Sequence, residues 1–176
     1  DLMHATQMVM PSIPGHNHEL DKMVRSYDLD KAKQLIAEAK KDGVPVDTEI
    51  VMYGRPATHP GADEVIEAMA TSYKAIGLNV KVRNLEPGQY NEINNKPFAE
   101  NRGPTLTQSS HDNNTGDPIF SALKYSCKGP QSMLCDDKID AELARIAILG
   151  GDERSKGWQD LFRVFYEDMV VDVWLY

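Results

Sequence analysis

The chain has 176 residues, of which 41% are hydrophobic and 26% are charged, a composition typical of one globular domain of ordinary size. Its 27 acidic residues outnumber the 19 basic ones and give a net charge of −8. A nucleic-acid-binding protein normally carries a basic stripe, which this sequence does not show, and the negative charge disfavours an anionic membrane surface as a partner.

The first 27 residues have no regular hydrophobic pattern. Pro11, Pro14 and Gly15 interrupt a polar segment in which apolar residues are scattered. The segment has neither the basic start nor the apolar stretch of a signal peptide, and it does not begin with methionine. We therefore expect residues 1–27 to be a linker or strap from another part of a processed or longer protein, and residues 28–176 to form the domain.

A helix and then a βαβ unit are predicted next. Asp28 is a suitable N-cap, apolar residues recur at helical spacing after it, and Gly43 ends the pattern. The following residues predict a strand, a helix and a strand at 46–53, 61–76 and 78–83. A strand, a helix and a strand over residues 46–83 form a βαβ unit, whose two strands should be parallel and joined by a right-handed crossover.

The second half of the chain predicts a mixture of short and long elements. They are a short helix at 87–95, a short strand at 105–108, two helices at 137–149 and 153–168, and a buried strand at 170–176. Because a strand at the very end of a chain is unusual, we expect the natural protein to continue. The fold class is therefore α/β, with a small mixed sheet flanked by helices.

The most unusual segment is the polar stretch 109–118, which contains Asp112, Asn113, Asn114 and Asp117. Asn and Asp tolerate turn geometry, so a plain turn is one interpretation. Calcium binding is a weaker one, because the spacing lacks the EF-hand pattern and its terminal Glu. The third is a ligand-contact loop, in which amides and a carboxylate at the end of a strand hold an ammonium group and a peptide backbone.

Catalytic and metal signals are weak. The consecutive residues Ser110, His111 and Asp112 have the residue types of a catalytic triad, but neighbouring side chains on an extended segment point apart. His16 and His18 are able to form a weak transition-metal site, although two solvent-exposed loop histidines are the simpler interpretation. The chain has no phosphate-binding glycine loop or nucleophile elbow, and we predict no metal and no cofactor.

The two cysteines, Cys127 and Cys135, flank a short segment that is typical of a loop. A disulfide between them would suit an oxidising compartment, whereas two free thiols would suit a reducing one. Their spacing is not that of a zinc site. The residues alone leave the first two alternatives open.

The order of the motifs resembles extracellular solute-binding proteins, family 5, the peptide-binding components of ABC importers. The matching motifs are YDLDKAKQLIAEA at 27–39, EVIEAM at 64–69, IGLNVKV at 76–82, RGPTL at 102–106, HDNN at 111–114, GDP at 116–118, DAEL at 140–143 and WQDLF at 158–162. The resemblance spans nearly the whole chain and rests on the shared order of the motifs. It implies the C-terminal lobe of a two-lobed, periplasmic-binding-protein-like fold.

The resemblance also implies a function and a site. It implies capture of a peptide between two lobes and delivery to a membrane permease, by a monomer that is not an enzyme. A carboxylate in the segment 109–118 is expected to hold the peptide ammonium, with Asp112 as first choice and Asp117 as second. Neighbouring polar residues, Ser110, His111, Asn113 and Asn114, are expected to contact the ligand. The implied location is periplasmic or extracellular, with a lipoprotein anchor as one form, and this setting favours the Cys127–Cys135 disulfide.

The sequence leaves two alternatives to peptide capture open. The same fold in related proteins carries nickel chelates, haem, opines or oligosaccharides, so the small solute is not fixed as a peptide. A small α/β hydrolase that uses Ser110, His111 or Asp112 is an alternative from a different class of protein.

Overall fold

The computed structural model describes residues 4–56, 58–111, 115–170 and 172–175. The chain divides into two compact units. The first unit contains Asp1–Arg25 and His111–Tyr176, and the second unit contains Ser26–Ser110. Among the described helices, none combines the length and the apolar character that crossing a membrane requires.

The second unit contains a parallel sheet and three helices. In chain order the elements are α1 (Leu29–Lys41), β1 (Ile50–Gly54), α2 (Ala62–Ala75), β2 (Val80–Asn84), α3 (Pro87–Asn94) and β3 (Thr105–Thr107). The strand order is β2-β1-β3, and β1 pairs in parallel with both neighbours. The predicted α/β fold and its βαβ unit are therefore confirmed. The predicted mixed sheet is instead parallel, since both strand pairings among the described residues are parallel.

Local sequence explains the ends of these elements. The Asp28 carboxylate accepts a hydrogen bond from the backbone N–H of Lys31 at 2.8 Å, which caps α1. Gly43, at φ 87°, lies just beyond the end of α1 in a conformation that glycine adopts readily. Pro87 opens α3, where its fixed φ suits the first helical turn.

The core of the second unit lies between the sheet and α2. Its buried side chains are Met52, Ile66, Ala70 and Val80. By contrast, none of the residues of α1, all of which the structure describes, is buried. The predicted apolar stripe of α1 consists of Ala32, Leu35, Ile36 and Ala39, of which Leu35 is 51% exposed and the other three are half-buried.

The first unit is helical. Its helices are a 3-10 turn (Leu20–Lys22), α4 (Ile119–Ala122), a 3-10 turn (Leu123–Tyr125), α5 (Asp137–Ala147), α6 (Gly151–Val164) and a π-helical turn (Phe165–Met169) that continues α6. Its core is rich in aromatic residues, which include Tyr125, Trp158, Phe162 and Phe165. The predicted helices at 137–149 and 153–168 correspond to α5 and to α6 with its π-helical turn.

The predicted buried strand at 170–176 is wrong for the part of it that the structure describes. Val170 adopts a left-handed conformation at φ 47°, and residues 172–175 form no strand. The described residues of the first unit include no strand with which the segment could pair. The segment instead contributes Trp174, which packs against the helical core.

The segment before residue 26 is packed into the first unit. Met8, Val9 and Leu20 are buried in its core. Asn17 donates a side-chain hydrogen bond to the carbonyl of Gln159 in α6 at 3.0 Å, and the Gln159 amide donates to the carbonyl of His16 at 3.1 Å. That the segment arrives from another lobe stays a prediction.

Candidate functional site

The polar segment 109–118 follows β3 at the carboxyl end of the parallel sheet. Gln108 joins the two, and its backbone N–H donates to the carbonyl of Tyr53 in β1 at 2.9 Å. The Gln108 side chain accepts from the backbone N–H of Arg55 at 3.0 Å and donates to the carbonyl of Ala62 at 2.9 Å. This edge is where open α/β sheets bind ligands, because the loops that follow the strands meet there.

Tyr90 supports the same edge from α3. Its side chain is buried, its hydroxyl donates to the carbonyl of Gln108 at 2.8 Å, and burial raises the pKa of the phenol. The Arg55 guanidinium lies 4.5 Å from the centre of the Tyr90 ring, a cation–π contact. The polar segment therefore begins from a firmly held point.

A close approach at Gly54 completes the edge. A β-carbon added there would lie 2.1 Å from the Asn84 side-chain oxygen and 3.2 Å from Ile66, so a larger residue would require the Asn84 side chain to move. Sequence reasoning missed Arg55, Tyr90 and Gln108. Their signal is weak, because only Arg55 and Gln108 directly follow observed strands, β1 and β3, and the sequence prediction placed Gln108 inside a strand.

The predicted ligand-contact residues fall at different places. Ser110 is exposed and His111 is half-buried. The second unit ends at Ser110, and the chain returns to the first unit at His111. Asp112, Asn113 and Asn114 lie outside the described residues. Their roles in ligand binding stay predictions.

His111 is held in an environment that disfavours its charged form. Burial, together with the positive charge of Lys124, lowers the pKa of His111 to about 4. Its ring centre lies 5.7 Å from that of Trp174. At neutral pH the ring is therefore an uncharged imidazole, which can donate one hydrogen bond and accept another.

The low pKa of His111 predicts a stability that falls with acidification. Between the unfolded-state pKa of about 6.5 and the folded value, the unfolded chain binds a proton that the folded chain excludes. Stability is therefore lost as the pH falls through that window, by about 2 kcal/mol between pH 7.5 and pH 5. Urea unfolding at both pH values should show this loss in the native protein and a smaller one in His111→Gln. Equal losses of stability in the native protein and in His111→Gln would contradict His111 as the cause of the pH dependence.

Asp117 is engaged by an arginine of α6. The Asp117 carboxylate accepts hydrogen bonds from Arg154 Nε at 2.9 Å and from its terminal nitrogen at 3.0 Å, a two-point contact. It also accepts from the backbone N–H of Ile119 at 2.8 Å. Arg154 further donates to the carbonyl of Ile146 at 2.6 Å. The end of the polar segment is thus fixed to α6, and whether Asp117 also contacts ligand stays a prediction.

Arg154 is a residue that sequence reasoning missed. It lies in the first turn of α6, where the helix dipole disfavours a positive charge. An arginine at such a position indicates a specific acidic partner. The sequence does not identify that partner, because Asp117 lies 37 residues away.

The structure contains the disulfide between Cys127 and Cys135. Both thiols are used by this bond, so the nearby carboxylate of Asp137 has no thiolate with which to share a metal ion. The backbone N–H of Cys127 donates to the Asp140 carboxylate in α5 at 2.9 Å. The bridged loop is thereby held against the start of α5.

Comparison with known families identifies the family to which this chain belongs. Residues 3–129 match the family described as bacterial extracellular solute-binding proteins, family 5, middle segment. The chain belongs to this family. The resemblance predicted from the motif order is thus confirmed, and solute binding is the general function of the family. No curated protein sequence matches the chain.

Several solved structures share the fold, among them the following three. HbpA2 from Haemophilus parasuis is 22% identical with a TM-score of 0.71, over 93% of this chain and 32% of that one. DppA from Helicobacter pylori, a periplasmic binding protein in complex with the peptide STSA, is 18% identical with a TM-score of 0.62, over 94% and 32%. The clavulanic acid biosynthesis oligopeptide binding protein 2 is 18% identical with a TM-score of 0.61, over 91% and 31%. The chain therefore spans about a third of the length of these proteins.

Proposed function

We propose that this chain is one lobe of a two-lobed protein that captures peptides and delivers them to an ABC permease in the membrane. The observation that carries the proposal is the family match over residues 3–129. Peptide as the solute is supported by the peptide in the DppA structure and by the name of the oligopeptide binding protein. That the whole protein is longer than this chain is supported by the three solved structures, because this chain covers only about a third of each of them.

The proposed location is the periplasm or the cell exterior, and a lipoprotein anchor is one form that it takes. The family consists of extracellular proteins, and the Cys127–Cys135 disulfide suits an oxidising compartment. We further propose a monomer that binds without catalysis, because solute binding is the general function of the family.

We propose that Asp112 holds the ammonium group of the peptide. It belongs to the segment that leaves the carboxyl end of β3, where ligands reach an open sheet. Asp117, the other acid of that segment, already accepts two hydrogen bonds from Arg154. A carboxylate that loses water on ligand binding requires an opposite charge, which an ammonium group supplies.

Polar neighbours complete the proposed recognition. Ser110, His111, Asn113 and Asn114 offer hydroxyl, imidazole and amide groups that pair with a peptide backbone. His111 suits this role because it is uncharged at neutral pH and therefore does not repel the peptide ammonium.

Two single substitutions test this assignment in the two-lobed protein. We expect Asp112→Asn to weaken binding of a peptide with a free amino terminus by 10-fold to 100-fold, because a hydrogen bond to a charged group contributes about 1.5–3 kcal/mol. The same peptide with an acetylated amino terminus should bind the variant and the native protein alike. Isothermal titration calorimetry measures all four affinities.

Asp117→Asn is the matched control. It removes a negative charge from the same segment, but its expected effect is a lower melting temperature, because it weakens the contact with Arg154. Free-amine affinity that falls with Asp117→Asn and not with Asp112→Asn would move the ammonium site to Asp117. Unchanged affinity in both variants would contradict an acidic ammonium site in this segment.

Native mass spectrometry of the gently purified two-lobed protein tests the class of solute. We expect a co-purified mass of several hundred daltons that fragments as a peptide. A metal chelate, haem, opine or sugar would instead assign the protein to another solute within the same family. Ester or amide hydrolysis that disappears in Ser110→Ala would contradict the non-enzymatic proposal.

A further inference from the structure

A cluster of two histidines and one aspartate lies in the first unit, away from the segment 109–118. The cluster consists of His16, His18 and Asp21, and one ligand atom from each lies within 4.8 Å of the other two. The expectation of two solvent-exposed histidines is wrong for His16, which is only 6% exposed. His18 remains on the solvent side, with a side chain that is 70% exposed.

The distances in the cluster match those between two ligands of a single metal ion. His16 Nε2 lies 2.8 Å from Asp21 Oδ2, and His18 Nδ1 lies 3.4 Å from the same oxygen. Zinc binds imidazole nitrogen and carboxylate oxygen at about 2.0–2.2 Å, so two ligands at right angles or at the tetrahedral angle are roughly 2.9–3.4 Å apart. The three side chains therefore need only small movements to surround an ion.

The hydrogen bonding of His16 leaves the correct nitrogen for a metal. Nδ1 lies 3.0 Å from the carbonyl oxygen of Val9, which only accepts, so Nδ1 carries the hydrogen and donates. Nε2 lies 2.8 Å from the carboxylate oxygen Oδ2 of Asp21, and at this distance a proton or a metal ion must lie between the two atoms. A metal-binding histidine usually has this arrangement, with its second nitrogen donating to a backbone carbonyl.

Gln7 has a fixed orientation beside this nitrogen. Its side-chain oxygen accepts from the backbone N–H of Asn17 at 2.8 Å. Its amide nitrogen lies 3.3 Å from His16 Nε2 but has better-placed acceptors for its two hydrogens, the Asn17 carbonyl at 3.0 Å and Asp21 Oδ1 at 3.3 Å. The lone pair of His16 Nε2 is therefore not required as the acceptor for Gln7.

The two oxygens of Asp21 have different surroundings. Oδ1 accepts from Gln7 at 3.3 Å and from the Thr6 hydroxyl at 3.4 Å. Oδ2 faces only the two histidines among the described contacts. One oxygen is thus oriented by the protein, and the other is directed to the point where the histidine nitrogens converge.

The backbone that carries His16 is held firmly. Gly15 packs against Trp158, and Asn17 and Gln159 exchange hydrogen bonds between this loop and α6. Because the His16 side chain is already buried and its backbone is fixed, little conformational entropy is lost when it binds a metal ion.

We propose that His16, His18 and Asp21 form a binding site for a divalent transition metal ion, with zinc as its expected occupant. Two imidazoles and one carboxylate suit zinc, copper and nickel, whereas calcium and magnesium prefer all-oxygen sites. Three protein ligands leave a fourth position for water or an external ligand on the exposed side of His18. This inference is independent of the proposed peptide function.

The test is titration of the full protein with zinc chloride after removal of metals with a chelator. We expect one zinc ion to bind at micromolar concentration and to raise the melting temperature. His18→Ala should weaken binding at least tenfold, and because His18 is exposed, its loss leaves the core unchanged. Asp21→Asn is the second variant and should weaken binding similarly.

His4→Ala is the matched control, because His4 is an exposed histidine of the same unit that lies outside the cluster. Its zinc affinity should equal that of the native protein. Absence of zinc binding, or binding that His18→Ala and Asp21→Asn leave unchanged, would overturn the proposal. Without zinc binding, the cluster would be only a hydrogen-bonded contact between His16 and Asp21.

Discussion

Gly15→Ala should lower the free energy of unfolding of the first unit by about 2–5 kcal/mol. Gly15 has φ 96°, a left-handed conformation that costs an L-residue about 1–2 kcal/mol. An added β-carbon would also lie 2.7 Å from the β-carbon of Trp158, which is 1% exposed and cannot move away. Such overpacking costs about 1–3 kcal/mol more.

Urea unfolding followed by tryptophan fluorescence measures this loss, because both tryptophans, Trp158 and Trp174, lie in the first unit. Gly151→Ala is the matched control. Gly151 also has a positive φ, 53°, but an added β-carbon meets nothing within 4 Å. The control should therefore lose only the conformational part, about 1–2 kcal/mol. Equal losses of stability in Gly15→Ala and Gly151→Ala would show that the contact of the new β-carbon with Trp158 does not add to the destabilisation.

Local sequence was sufficient for most elements of the second unit. The N-cap at Asp28, the helical spacing of apolar residues in α2 and the alternation in β2 are short-range signals, and each element lies where it was predicted. The burial of α1 was not predictable in the same way. An apolar stripe indicates a face that is able to pack, but whether another element covers it depends on tertiary structure.

The segment 170–176 shows why composition alone does not predict a strand. Residues 170–176 are mostly apolar and include three valines and two aromatic residues, a composition that favours a strand. A strand also needs a partner, and no described strand lies in the first unit. The segment instead follows the π-helical turn and contributes Trp174 to a helical core.

The sequence singles out the segment 109–118 as a candidate site, but it does not reveal the residues that hold this segment in place. Polarity and turn residues singled out the segment 109–118 because they are local features. The contacts of Asp117 with Arg154 and of Gln108 with Tyr90 join residues that are distant in sequence. His16 is the clearest example, since a histidine in a polar, proline-containing loop gives no local sign that the loop is buried against α6.

Reduction of the Cys127–Cys135 disulfide should lower the free energy of unfolding by about 2–3 kcal/mol. The bridge closes a loop with a sequence separation of 8, and the loss of chain entropy in the unfolded state gives this magnitude for so short a loop. The same loop leads into α5, where Asp140 accepts from the backbone N–H of Cys127 and Asp136 caps the first turn.

Unfolding with and without a phosphine reductant measures the effect, again by tryptophan fluorescence of the first unit. The double variant Cys127→Ala/Cys135→Ala is the control, because it should match the reduced native protein and show no response to the reductant. A native protein that is equally stable in both conditions would mean that the loop is ordered by its contacts with α5 alone. The expected loss, by contrast, would make the stability of this unit depend on an oxidising compartment, as the proposed extracellular location requires.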